Sequence, residues 1–276
     1  MYRSLLFMPG NNPGMLVSAD VLGADMVVFD LEDAVALSEK DSARILVRNA
    51  LRTLKFRRTK VGVRVNPTDS PYWEEDLEEI VPCEPDAIVI PKSDCNSVPI
   101  IESRLGNIPT FLLIESARSL VNIKEVITSS KNAIGLILGG EDYSQSMGIK
   151  RSASYKELEF ARFTLATFAK AFGLDAIDTP YTDVENIEGL KKDTEFAKSI
   201  GMNGRLLIGP RHVRYVHEIF SPTEKEIEEA KEILEEGELA KKEGRGAFSH
   251  HGKMVDLPVL KRASDTVKNA EIWGLI

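Results

Sequence analysis

The chain has 276 residues, 43% of them hydrophobic and 28% charged, and its 35 Lys and Arg against 43 Asp and Glu leave a formal net charge of -8. That length suits an α/β barrel folded as one unit around a sizeable core, and the acidic balance disfavours binding to nucleic acid. No apolar run approaches the roughly 20 residues needed to span a bilayer, and MYRSLLFMPGNNPG at the N-terminus is too short in apolar residues for a secretion signal, so a cytoplasmic protein is expected.

Eight short apolar runs follow one another: Leu5 to Met8, Met26 to Phe29, Val61 to Val65, Ala87 to Ile90, Thr110 to Ile114, Ile134 to Leu138, Asp175 to Ile177 and Arg205 to Ile208. Most are continuous Val, Ile and Leu, the pattern of parallel strands covered on both faces. Segments with helical spacing separate them. Residues Glu39 to Leu54 align Ala43, Leu46, Val47, Ala50 and Leu54, and Tyr155 to Phe172 align Leu158, Ala161, Leu165 and Phe168. The rhythm predicts an α/β fold, a (β/α)8 TIM barrel over 1–220 with a C-terminal helical extension over 221–276.

In that extension Thr223 and Glu226 form a capping-box pattern ahead of a charged helix with Ile227, Ala230 and Leu234 on one stripe. The helix should end near Gly244, Arg245 and Gly246, leaving a loop and a final helix as a lid over its own or a neighbouring barrel. Cys83 and Cys95 form no CxxC or Cys/His cluster, which fits a reducing compartment. The basic run Lys55, Arg57, Arg58 and Lys60 falls where a helix should end.

Barrel chemistry sits just after the strands, and the residues there are unusually charged. They are Asp30, Glu32 and Asp33 after the second run, Arg64 and Asn66 at the third, Lys92 after the fourth, Glu115 after the fifth, Glu141 and Asp142 after the sixth and Asp178 after the seventh. So many carboxylates on one rim repel each other unless a cation is present. Only oxygen donors are on offer, which suits Mg2+, with Mn2+ as its substitute. Glu115 and Asp142 are the expected ligands, with Glu141 standing behind them; helix capping is the alternative role for either.

Arg64 interrupts an apolar strand, and its planar fork could hold a substrate carboxylate or an ion-pair partner on the rim. Lys92 is a weaker candidate of the same kind. The PGNNPG loop could cradle an anion with its backbone amides, with Arg3 close in sequence, although such loops are mostly plain turns. The late histidines, His212, His217, His250 and His251, show no HExxH spacing, and surface or packing roles are expected for them.

The segments RSLLFMPGNN, VFDLEDAV, VRVN, IPK, LIES, GGEDY and GKMVDLPVLKRA, from Arg3 to Arg262, together resemble the citrate lyase beta-subunit-like family, which includes citramalyl-CoA and malyl-CoA lyases. The resemblance implies a (β/α)8 barrel holding Mg2+ through Glu115 and Asp142, with Glu32 and Asp33 reaching the metal through its waters. It places Arg64 on the keto-acid portion of the substrate and makes Asp256 the acid/base group, a residue that also suits an N-cap ahead of Leu257 and Pro258. It further implies a homo-oligomer, a trimer or larger, in which the C-terminal segment reaches a neighbour's barrel mouth. The implied reaction cleaves or forms a 3-hydroxyacyl thioester of CoA or an acyl carrier protein, such as a citramalyl, malyl or citryl thioester. Competing readings are an aldolase on free hydroxy-keto acids, an acyl-CoA thioesterase, and a non-catalytic subunit of a complex. Two positions depart from the family pattern: Gly209-Pro210 replaces His-Pro or Asn-Pro, and LIES replaces LIET.

Overall fold

The structure is a computed structural model and describes residues 1–152 and 154–276. The chain divides into two compact units, Met1–Glu218 and Ile219–Ile276. In the first, the strands β1 (Ser4–Pro9), β2 (Met26–Asp30), β3 (Lys60–Arg64), β4 (Ala87–Ile90), β5 (Thr110–Ile114), β6 (Ala133–Leu138), β7 (Asp175–Asp178) and β8 (Gly204–Leu207) close in sequence order into one barrel. Every neighbouring pair is parallel, and β8 closes on β1.

The helices of this unit are α1 (Pro13–Ser18), α2 (Lys40–Thr53), α3 (Trp73–Ile80), α4 (Ser97–Glu102), α5 (Ala117–Val121), α6 (Ile123–Ser129), α7 (Gly140–Ser146), α8 (Glu159–Phe172), α9 (Ile187–Ser199) and α10 (Val213–Phe220), the last running into the second unit. Strand residues bury both faces, as continuous apolar runs require; all five residues of β2 are buried. The α2 stripe buries Ala43, Val47 and Ala50. The α8 helix starts at Glu159 and not at Tyr155, because Tyr155 has φ 54 and a short 3-10 turn intervenes.

Side chains alternate across each strand, so one parity fills the barrel and the other meets the helices. Leu5, Met26, Val28, Ala87, Val89, Phe111, Leu113, Ile137, Ile177 and Leu206 form the interior cluster. Gly135 faces Phe111 here; a Cβ at Gly135 would lie 2.5 Å from the ring, so glycine is what lets that large side chain fill the layer. Counting two residues onward from Val28, Leu113 and Ile137 reaches Asp30, Glu115 and Gly139, while Arg64 shares the parity of Gly62. The inward face of the barrel thus ends in polar groups at its C-terminal mouth.

The opposite parity explains a correction. Asp178 follows inward Ile177 and so points away from the mouth, fully buried between Arg162 Nε at 2.9 Å and Arg205. Asp193 joins the same cluster, accepting from Arg162 at 2.7 and 2.8 Å. Asn66 is also structural, donating to Asp76 at 2.7 Å.

The second unit carries α11 (Glu224–Lys242), the hairpin β9 (Phe248–His250) with β10 (Lys253–Val255), and α12 (Leu257–Ile272). Thr223 and Glu226 make the capping box reciprocally. Ala230, Ile233, Val255 and Ala263 form a small core here. The hairpin is absent from the sequence expectation of a loop, since its strands are three residues each and its turn is only His251-Gly252. Among the described residues no helix is long and apolar enough to cross a membrane.

Candidate active site

The barrel mouth encloses a cavity of about 450 Å³ lined by Phe7, Asp30, Asp33, Arg64, Glu115, Gly139, Asp142 and neighbouring residues. Asp30 organises one wall. Its carboxylate accepts two backbone amides, from Glu32 at 2.9 Å and Ala34 at 3.0 Å, and it receives the Arg64 fork through Nε at 2.7 Å and Nη2 at 2.5 Å. Phe7 packs 5.1 Å from the same guanidinium. Arg64 is therefore rigid, held by a bidentate pair and a ring face. Its Nη1 lies 2.8 Å from Glu32 and 3.4 Å from Asp33.

Glu115 stands on the inward parity of β5 and is 5% exposed. The backbone N–H of Lys92 donates to it. Gly139, at the end of β6, has no room for a side chain: a Cβ there would lie 2.5 Å from Glu115 Cβ and 2.9 Å from its Oε2. Burial pushes the Glu115 carboxyl up to about 8, with Glu32 and Asp142 adding to the rise and the Lys92 amide opposing it. Burial likewise pushes Glu32 up to about 7 against the pull of Arg64. Glu32 Oε2 is also a buried oxygen without a hydrogen bond, close to Arg64 Nη1 but off its N–H direction.

Buried carboxyls raised into the neutral range, an undonated buried oxygen and donors that are all oxygen fit a hard divalent cation. Such a cation would hold these groups as carboxylates and satisfy the orphaned oxygen. Asp142, in the first turn of α7, lines the same cavity as Glu115. Glu141 lines the cavity as well, with its carboxylate turned to Arg151 at 2.8 Å.

Two other expected residues and the first loop stand as follows. Arg3 precedes β1, so it lies at the N-terminal end of the barrel, remote from the mouth. Its guanidinium pairs bidentately with Asp25 at 2.6 and 3.0 Å, and it is withdrawn as a substrate group. Lys92 meets Glu115 through its backbone N–H, while its half-exposed side chain lies 3.7 Å from Asp69 and lines the adjoining cavity. In the PGNNPG loop, Gly10 N–H donates to Asp30 O and Asn12 N–H to Pro9 O, and the Asn12 side chain accepts from Met15 N–H at the start of α1. Ser116 closes a capping box with Ser119 at the start of α5.

Arg118 was not singled out from the sequence. It lines an adjoining cavity with Lys92, Asp33, Glu115 and Asp142, and its place just past LIES was the available signal. Asp256 caps α12, its Oδ1 accepting from Val259 N–H at 3.3 Å.

Residues 3–210 match the HpcH/HpaI aldolase/citrate lyase family. The chain belongs to that family. The citrate lyase subunit beta of Leuconostoc mesenteroides is 38% identical over 99% of this chain and 95% of its own length. Human mitochondrial citramalyl-CoA lyase is 32% identical over 96% of this chain and 84% of its own. Among solved structures, the CitE protein of Mycobacterium tuberculosis in complex with magnesium, acetoacetate and coenzyme A superposes with a TM-score of 0.81 at 28% identity, covering 98% of both chains. This aldolase and citrate lyase family member is a carbon-carbon lyase.

Proposed function

We propose that the chain uses Mg2+ to cleave, or in reverse to form, the carbon-carbon bond of a 3-hydroxyacyl thioester, giving a keto acid and an acetyl thioester. The observation that carries this is the mouth itself: Glu115 wedged against Gly139, Asp142 beside it, and a fixed guanidinium at Arg64 in one cavity. Glu115 and Asp142 would hold the cation, with Glu32 and Asp33 on its waters. When bound, Mg2+ supplies Lewis acidity at the carboxylate and adjacent oxygen of the substrate.

Arg64, unable to swing because Asp30 holds two of its nitrogens, offsets the charge that develops on the keto-acid oxygen. Lys92 and Arg118 bring positive charge to the adjoining cavity, where the phosphates of a CoA or carrier arm can run. Asp256 exchanges the proton at the thioester α-carbon: the proton that leaves the 3-hydroxyl on cleavage is balanced by the one Asp256 gives to that carbon, and in condensation Asp256 removes a proton from the carbon as the new hydroxyl gains one. We place Asp256 over the mouth of a neighbouring copy in a cytoplasmic homo-oligomer, a trimer or a hexamer.

Citrate lyase beta subunits match this chain at 37 and 38%, and the malyl-CoA and citramalyl-CoA lyases at 29 and 32%, which favours a citryl thioester as the first substrate to try. A (3S)-malyl-CoA thioesterase of Cereibacter sphaeroides is also 31% identical, so hydrolysis is the second reading. Purified protein with Mg2+ is offered citryl-, citramalyl- and malyl-CoA, and keto acid and free CoA are measured separately. Keto acid without matching free CoA is the expected result, abolished by chelation and reduced roughly 10³-fold or more in Glu115→Gln and Asp142→Asn. Free CoA without keto acid would make the protein a thioesterase.

A further inference from the structure

We propose that the second unit holds a site for a divalent transition-metal cation of the zinc class, formed by Glu232, His250 and His251. These residues each offer one ligand atom, and the three atoms lie within 4.8 Å of one another. The Glu232 carboxylate is 3.8 Å from His250 Nε2 and 3.6 Å from His251 Nε2. Ligands about 2.0 to 2.1 Å from a tetrahedral Zn2+ stand about 3.3 Å apart, so a closure of a few tenths of an ångström brings the Glu232 carboxylate to ligand spacing from each imidazole, and a rotation of the exposed His251 ring sets the third pair.

His250 supplies the second, independent observation. It is 4% exposed, and its Nε2 is buried without a hydrogen-bond partner while aimed at the cluster. On the other side of the ring, Nδ1 lies 3.1 Å from Glu236 Oε2. A carboxylate on the Nδ1 side favours the proton there and leaves the Nε2 lone pair for a metal, the arrangement that metal-binding histidines use. Glu236 is thus a positioning residue.

The turn is built for the purpose as well. His251 and Gly252 are the two loop residues between β9 and β10, with φ of 45 and 77, a conformation in which Gly and Asn are favoured. A histidine there leans over α11, one turn of which supplies both Glu232 and Glu236. His251 and Glu232 are well exposed, which leaves the fourth position open to water. Two imidazoles and one carboxylate select Zn2+, Co2+ or Ni2+ over the oxygen-seeking Mg2+ of the barrel mouth. The bound ion would pin the hairpin turn to α11 and so steady the segment that leads through β10 into Asp256.

The test uses the tag-free full chain, stripped with chelator and held in excess Mg2+, titrated with Zn2+ alone by calorimetry. One tightly bound Zn2+ per chain is expected, and Co2+ in its place should show visible absorption bands. His251→Asn suits the turn backbone and should fold, yet weaken Zn2+ binding about 10²-fold; Glu236→Ala should weaken it about 10- to 100-fold. Circular dichroism checks that both variants fold. Failure of the wild type to bind Zn2+ above the Mg2+ background overturns the proposal. So does unaltered binding in His251→Asn, or binding lost in Glu115→Gln but kept in His251→Asn, which would assign the ion to the barrel mouth.

Discussion

Asp30 and Arg64 form a buried pair whose value lies in its completeness: two amides and two guanidinium nitrogens satisfy one carboxylate. Removing only the cation leaves Asp30 buried and uncompensated, so Arg64→Ala should cost about 3 to 5 kcal/mol in urea unfolding. Arg64→Lys keeps a charge but loses the fork, and should cost less stability while lowering kcat/KM roughly 10²-fold. Equal losses of stability in the two variants would show that a charge without the fork contributes nothing. His217 offers a second test at this scale. Its Nε2 lies 2.8 Å from Ser4 Oγ and 3.5 Å from Asp25, and burial pushes it down to about 4, with Asp25 opposing and Arg3 reinforcing the shift. The unfolded chain takes up this proton below its ordinary value of about 6.5, whereas the folded chain resists until about 4. Stability is therefore full above pH 6.5 and falls as pH drops towards 4, by up to about 3 kcal/mol. His217→Gln keeps a hydrogen-bonding group at Ser4 and should flatten that part of the pH profile.

At the scale of elements, β5 and β6 would form the proposed metal cage by closeness rather than by ligand count. Gly139 has φ -84, so alanine suits its backbone, but the added Cβ would press on Glu115. Gly139→Ala should lower the urea midpoint, because the Cβ displaces Glu115, and raise the Mg2+ concentration for half-maximal activity about tenfold; an unshifted Mg2+ dependence would argue that Glu115 is not a ligand. Strand existence was legible in the sequence, because parallel strands buried on both faces must be apolar throughout. Position after a strand also put Glu115 and Asp142 at the mouth, where both line the cavity. What it did not resolve was parity and polarity. Glu115 falls two residues past inward Leu113 and reaches the mouth, while Asp178 falls one past inward Ile177 and faces Arg162 and Arg205. Arg3 was misread because nearness to a loop in sequence ignores that it begins the strand the loop ends. The Glu232, His250 and His251 cluster was illegible because its ligands come from a helix face and a hairpin turn that only the fold brings together.

For the whole molecule, the division of the chain matters most, because the proposed metal ligands belong to Met1–Glu218 and the proposed acid/base, Asp256, to Ile219–Ile276. If each tail serves a neighbour's barrel, two differently damaged chains can repair each other. Glu115→Gln spoils a mouth but leaves its tail intact; Asp256→Asn spoils a tail but leaves its mouth intact. Each variant alone should be inactive with Mg2+ still bound by the second. Co-expressed in equal amounts and mixing at random in a symmetric ring, half of the mouths are sound and half of those meet a sound tail, so about a quarter of wild-type activity should return. A tail acting on its own barrel returns none, since no single chain then carries both sound parts. Size-exclusion chromatography of the co-expressed mixture confirms that the subunits have assembled together, and activity at zero in a verified mixed oligomer would overturn action between neighbours while leaving the Mg2+ site itself untouched.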